Sequence, residues 1–242
     1  AGKRLDQIAS IILNRKPDIV CLQEVEEGIF EKFLKPQLES NAYTGCFVPK
    51  GRYKRTPIER RKTVHGQATF VKNIGFNIVR TRSFEFRECK AVKNNQTLKL
   101  RDEVGLITVL RCKYHPFNLV VGNVHLYWEG SSEDVRLGQI YTMLCEMMND
   151  YNDITDPKDM LIAGDFNSEP GSNTLQYLSS TQGFTNAYDH FAMNPFFTHF
   201  AYNYKARIDH IYATGHSCHP VSVLLCNQTQ YILEHIPQLP SW

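Results

Sequence analysis

Four apolar runs in this chain carry chemically able side chains at or near their C-terminal ends, and that repeated design constrains the fold more than any other feature. "DIVCLQEV" runs into Gln23 and Glu24, and "FNLVVGNVHLYW" carries Asn123 and His125 and closes on Trp128. "DMLIAGDFN" delivers Asp165 and Asn167, and "RIDHIYAT" holds Asp209 and His210. Each reads as a buried strand, and a two-residue spacing on a strand turns both side chains to one face. Asp165 and Asn167 can therefore converge on one substrate atom, and so can Asn123 and His125. A buried carboxylate without a partner costs several kcal/mol, so such groups persist where cations, metals or donors answer them. Each group has a plainer reading by itself. Asp165 and Asn167 suit a turn that caps its own backbone, His125 a bonded core histidine, Glu24 a surface acid and Asp209 a structural acid. Four such segments in 242 residues favour a shared site.

The rest of the chain supplies layers around those strands. Leu5, Ile8, Ala9 and Ile12 predict an amphipathic helix over 3–15, stopped by Pro17. Leu137, Ile140, Tyr141, Leu144 and Met148 predict another over 133–149, and Ser172 caps a short helix with Leu175 and Leu178. Residues 66–71 and 104–111 read as further strands, and the polar stretch 86–103 as a long loop. With no repeat and no linker, residues 1–242 read as one domain of mixed strands and helices.

Composition removes several classes. No stretch approaches ~20 uninterrupted apolar residues, so no transmembrane span is expected, and the first residues lack the apolar core of a secretory signal. Seven cysteines with no C-x-x-C pair read as free thiols in a reducing compartment. That points inside the cell, to the cytoplasm first, with the mitochondrion or nucleus open. The His216, Cys218 and His219 cluster lacks a second ligand pair and reads as a polar loop rather than a zinc site. Net charge is only +2, yet "KGRYKRTPIERRK" gathers Lys50, Arg52, Lys54, Arg55, Arg60, Arg61 and Lys62 against Glu59. Gly51 and Pro57 make it a loop rather than a helix. Such local basicity suits either a polyanion met at one place or a solvated loop.

No nucleophile elbow, G-x-G-x-x-G or P-loop is present. Carboxylates with an amide and an imidazole suit Mg²⁺, or Mn²⁺ in its place. Glu24 is the expected metal ligand and Asp165 the group that orients or deprotonates water. Asn167 and His125 would donate to phosphate oxygens as charge builds there.

"LQEVE", "GNVHLYW", "IAGDFNSEP" and "RIDHIYAT" resemble, in order, motifs of the endonuclease/exonuclease/phosphatase superfamily, across nearly the whole chain. The resemblance implies a two-sheet α/β sandwich of the deoxyribonuclease I type, helices on the outer faces, with a Mg²⁺-dependent phosphoesterase site at one edge. "VHLYWEGSSEDVRLGQ", "HGQATF" and "FFTHFAYNYKARIDHIY" look most like carbon-catabolite-repressor-type poly(A) ribonucleases. "EEGIFEKFLKPQLE" is similar to the 2′-phosphodiesterase branch. The likeness places Tyr204 where an aromatic stacks on the terminal adenine, and gives Asp209 the task of orienting a histidine. Asn123, Trp128, Arg60, Arg61 and Lys62 are the further expected substrate contacts. Gly130 stands where relatives often have proline, and Glu103 where they often have asparagine. The family's first, asparagine-bearing strand and its closing Ser-Asp-His segment are not matched, so the first and last strands are expected to be missing. Three functions follow as expectations. They are a 3′-to-5′ exoribonuclease on poly(A)-like single-stranded RNA, a 2′,5′-oligoadenylate phosphodiesterase, and a catalytically silent RNA- or protein-binding domain. No leucine-rich repeat is present to recruit a scaffold.

Overall fold

The computed structural model describes residues 2–58, 61, 64–89, 91–93, 96–181, 183–189, 197–201 and 204–214. Arg60, Lys62 and the His216, Cys218 and His219 cluster lie outside these. The expected first helix forms as α1 (Gly2–Arg15) and passes Pro17 into β1 (Ile19–Glu26). A helical passage follows, from α2 (Glu27–Ile29) through π-helical Phe30–Leu34 to α3 (Lys35–Glu39). Then come β2 (Tyr43–Pro49), β3 (His65–Lys72), β4 (Phe76–Glu85), the short β5 (Ala91–Lys93) and β6 (Gln96–Leu98), β7 (Val104–Cys112) and β8 (Asn118–His125). The remainder is α4 (Glu133–Asn152), β9 (Lys158–Asp165), α5 (Asn173–Thr181), β10 (Phe184–Asn186), β11 (His199–Ala201), β12 (Tyr204–Ala206) and β13 (Asp209–Thr214).

Period-two alternation along these strands builds two sheets that face each other. The smaller has the order β1-β3-β2 and the larger β10-β13-β9-β8-β7-β4, with β8 and β9 parallel. Between them, Val71 packs with Leu110, Leu119 and Val121, flanked by Ile19 and Leu161. The outer face of the large sheet sets Ile107, Val109, Val120 and Ile162 against Ile140, Met143 and Met147 of α4 and Leu178 of α5. Each such side chain taken from water is worth about 1.5–3 kcal/mol. The outer face of the small sheet sets Val20, Ala68 and Phe70 against Ile12, Phe30, Leu34 and Leu38. This is the expected α/β sandwich with helices outside.

The same alternation positions the site. Leu119, Val121, Asn123 and His125 face the small sheet, and the even-numbered residues of β8 face α4. The space between the sheets is therefore apolar at one end and polar at the other. Gly122 lets α4 approach, because a Cβ there would lie 2.6 Å from Met143 Cε and 2.7 Å from Met147 Sδ. Among the described residues, no helix is long and apolar enough to cross a membrane. Five described cysteines are free, and burial pushes the Cys21 thiol up to about 12.

Several expectations are corrected. The basic stretch begins with a 3-10 turn at Gly51–Arg55 rather than in open loop. Residues 86–103 hold a 3-10 turn, Phe86–Glu88, and the β5–β6 hairpin, which their polar composition hides. β8 ends at His125, so Trp128 sits in a loop beyond the strand. Asp209 and His210 open β13 rather than close it. They still reach the polar edge, because β13 runs antiparallel to β9.

Candidate active site

Strand register brings three of the expected groups into one row. His125 stands opposite Asp165 across the parallel β8–β9 pair, and Asp165 stands opposite Asp209 across the antiparallel β9–β13 pair. The His125 Nε2 to Asp165 Oδ2 distance is 3.8 Å. Burial lowers the His125 pKa to about 3, helped by the nearby Lys50 charge and by His65. The imidazole is therefore neutral at pH 7, and its approach to Asp165 is not an ion pair.

Asp165 is the most perturbed carboxyl of the row. Burial first, then Asp209 and to a lesser degree Glu24, push its pKa up to about 7, while the Asn167 amide and Lys50 pull the other way. The backbone N–H of Asn167 donates to Asp165 Oδ1 at 2.8 Å, and Asn167 Nδ2 donates to Leu126 O at 2.8 Å. Asn167 holds φ at +47°, a left-handed conformation that asparagine tolerates. The self-capping turn is thus present, and it fixes one oxygen of Asp165 while leaving the other turned to His125. Burial also raises Asp209, opposed by the Thr198 hydroxyl and by His199. Thr198 Oγ1 accepts the amides of Ile208 and Asp209 at 3.1 and 3.0 Å, anchoring the start of β13.

Glu24 reaches this row from the other sheet. A bulge between Leu22 and Val25 interrupts the β1–β3 pairing, and Glu24 takes φ +57° within it. Left-handed backbone at a glutamate is strained, and bulges re-aim side chains beside active sites. Glu24 is exposed, yet its charge is felt at Asp165. Gln23 and Asn123 lock the bulge. Gln23 Nε2 donates to Asn123 Oδ1 at 2.8 Å, and Asn123 Nδ2 reaches Ala68 O at 3.0 Å with Leu22 O and Thr69 Oγ1 at 3.3 Å. Asn123 is 0% exposed, which corrects its expected role as a substrate contact. It ties the two sheets together instead.

The donor set suits a hard cation. Asp165 has Asp209 and Glu24 as acidic neighbours, whose like charge adds to the penalty on its ionisation.

The expected substrate contacts separate. Tyr204 is 53% exposed, and its hydroxyl donates to Glu169 Oε1 at 2.6 Å, just past the Asp165–Asn167 turn. Trp128 is 69% exposed on a loop whose carbonyls at Tyr127, Glu129 and Gly130 accept the buried Arg136 guanidinium. Arg61 turns inward: its guanidinium lies 5.2 Å from the Tyr53 ring and Nε donates to Thr56 O. Arg55 likewise pairs with Asp102 at 2.7 Å and Glu85 at 3.6 Å. Arg55 and Arg61 thus spend their charge on the protein itself.

The model of the Endonuclease/Exonuclease/phosphatase family matches residues 1–230. The chain belongs to that family. Its relatives include the CCR4-Not complex 3′-5′-exoribonuclease subunit Ccr4 of Candida albicans, 33% identical over 186 residues, covering 70% of this chain and 24% of that protein. The Ccr4 subunit of Aspergillus niger is 25% identical over 294 residues, covering 99% of this chain and 45% of its own length. The chain spans less than half the length of these relatives. Among solved structures, the human Nocturnin catalytic domain superposes with a TM-score of 0.72 at 24% identity, covering 89% of this chain and 76% of that one. ANGEL2, a 2′,3′-cyclic phosphatase, gives 0.70 at 21%, covering 86% and 72%. Both share the fold, and the likeness to Ccr4-type proteins expected from the motifs holds.

Two residues beside this row, Lys50 and Glu103, were given no role by the motifs. Lys50, at the end of β2, pairs with Glu103 at 3.6 Å while its charge acts on both His125 and Asp165. The sequence showed it only as one cation among seven. Glu103 is buried and accepts Gln139 Nε2 at 3.1 Å. His210 is held on the outer face, where Nε2 donates to Ser168 O at 3.0 Å and Nδ1 accepts from Asn186 Nδ2 at 3.1 Å. It braces the turn after Asn167 rather than facing the row.

Proposed function

We propose that the protein is a Mg²⁺-dependent phosphodiesterase that shortens single-stranded, poly(A)-like RNA from its 3′ end. The observation that carries this reading is the row of His125, Asp165 and Asp209 facing Glu24, with Asp165 held near neutrality. The Ccr4 names of the relatives support the choice of RNA and direction.

Asp165 Oδ2 takes a proton from the attacking water. A carboxyl whose pKa is about 7 is matched to a general base at neutral pH. Asn167 N–H holds the other oxygen still, so the geometry is set before substrate arrives. The water oxygen bonds to phosphorus as the P–O3′ bond breaks, and the departing O3′ takes a proton from solvent, leaving a shortened strand with a 3′-hydroxyl and a free 5′-mononucleotide. Neutral His125 offers an N–H to the phosphate oxygens, and Asn167 offers the Nδ2 hydrogen not given to Leu126 O. Glu24 would hold Mg²⁺ or Mn²⁺, which when bound polarises the phosphodiester and neutralises the departing oxygen. Tyr204, steadied by Glu169, and Trp128 offer exposed rings on which adenines stack.

The test uses 5′-labelled oligoadenylates with 3′,5′ or 2′,5′ linkages. Stepwise shortening of the 3′,5′ strand, lost in Asp165→Asn, is the expected result. Preference for the 2′,5′ strand moves the substrate to that linkage. Binding with no Asp165-dependent cleavage of either makes this a silent RNA-binding domain.

A further inference from the structure

The end of the sandwich opposite Asp165 carries a second polar recess. β8 runs from Asn118 to His125, so at ~3.3 Å per residue its ends lie about 23 Å apart. A cavity of about 400 Å³ opens at the β7–β8 turn, with Arg111, Lys113, Tyr114, Asn118 and Asp156 in its wall. Asn118 is 2% exposed. Arg111 Nε donates to its Oδ1 at 3.4 Å, whereas its Nδ2 has no hydrogen-bond partner. A buried amide nitrogen left so calls for an acceptor from outside the chain.

The surroundings say what kind of acceptor. Arg111, 3.7 Å from Asp156, is largely exposed, and Lys113 reaches across to Asn73 O on the β3–β4 turn. Lys72 Nζ reaches Lys16 O on the same side. Arg111, Lys113 and Lys72 thus lie at this end, with Asp18 and Asp156 as acids beside them. Tyr114 stands 68% exposed between Lys113 and His115. An anionic oxygen for Asn118 and Arg111, together with a flat ring for Tyr114, describes a nucleotide.

We infer that this recess is a second contact for single-stranded RNA, holding a nucleotide well upstream of the 3′ end that enters at Asp165. The inference rests on the RNA reading given above. Phosphate oxygens accept from Asn118 Nδ2 and meet Arg111 and Lys113, and the base stacks on Tyr114. A strand long enough to span the molecule gains this contact, and a dinucleotide does not.

The test measures Kd and its salt dependence for a dinucleotide and a ~16-nucleotide oligoadenylate. It compares the wild-type chain with a Lys113→Glu, Tyr114→Ala double variant. Both positions are exposed, and neither belongs to the catalytic row. The long strand is expected to bind the variant about tenfold or more weaker, with a salt slope shallower by ~0.7 per lost phosphate contact. The dinucleotide binds both proteins alike. Unchanged affinity and slope for the long strand, with Asp165-dependent cleavage intact, overturn the second contact alone and leave this face to a protein partner. A wild-type chain that binds neither RNA overturns the RNA reading as well.

Discussion

Asp165 carries two opposed demands. The proposed chemistry needs a carboxyl that ionises near neutrality, and the burial that provides it costs stability whenever the group is charged. The folded pKa is about 7, well above the ordinary carboxylate value. Between about pH 4 and 7 the native state therefore binds more protons here than the unfolded chain does. This group's contribution to stability falls as pH rises through that window. Asp165→Asn keeps an oxygen for the Asn167 N–H and removes the charge. It is expected to stabilise the protein at pH 8 by no more than about 4 kcal/mol, and by close to nothing at pH 4. Urea unfolding in the presence of chelator reads the difference. A variant no more stable than wild type at pH 8 would show that Asp165 is not strained in the folded chain.

At the scale of elements, register does the positioning. The parallel β8–β9 pair puts His125 beside Asp165, and its close approach depends on Gly164. Gly164 has φ +145°, and a Cβ there would lie 2.0 Å from Val124 O. Gly164→Ala meets both strain and backbone collision, so a loss of about 3 kcal/mol or more, or failure to fold, is expected by thermal melting. A near-wild-type melting temperature would mean the pair can separate freely. The strands that carry Asp165 and His125 were legible because their apolar runs are long and end abruptly. β2 was not, since Gly45 and Pro49 read as breakers. β4 was not either, since Arg80 and Arg82 on an edge strand hide the alternation while pairing with Asp150 on α4. The bulge at Glu24 was equally hidden, because it is set by Asn123 a hundred residues later. The same long-range tie explains why Asn123 read as a substrate contact. Spacing shows the face of a strand, not which sheet covers it.

At the scale of the molecule, the expected catalytic groups share one edge of the sandwich, with the apolar core between the sheets behind them. Two buried histidines belong to that edge, with folded pKa values of about 3 for His125 and about 4 for His210. Unfolded, each takes a proton near pH 6.5, so their contribution to stability is full above that pH and is lost as pH falls toward 4. In Asp165→Asn, where Asp209 is the raised carboxyl of the row that still opposes the trend, the melting temperature is expected to climb from pH 4 to about 6.5 and then level. A melting temperature that falls across that range would contradict the neutral burial of both rings.

In the proposed mechanism Asp165 and Glu24 meet across the two sheets, one activating water and the other holding the ion. Single-turnover cleavage of 5′-labelled oligoadenylate, followed against Mg²⁺ concentration in wild type, Asp165→Asn and Glu24→Gln, tests it most directly. Asp165→Asn should be slower by about 10²–10⁴-fold at every concentration, and Glu24→Gln should recover part of its rate as Mg²⁺ rises. Cleavage by Asp165→Asn at the wild-type rate, or wild-type cleavage indifferent to Mg²⁺, would contradict the account.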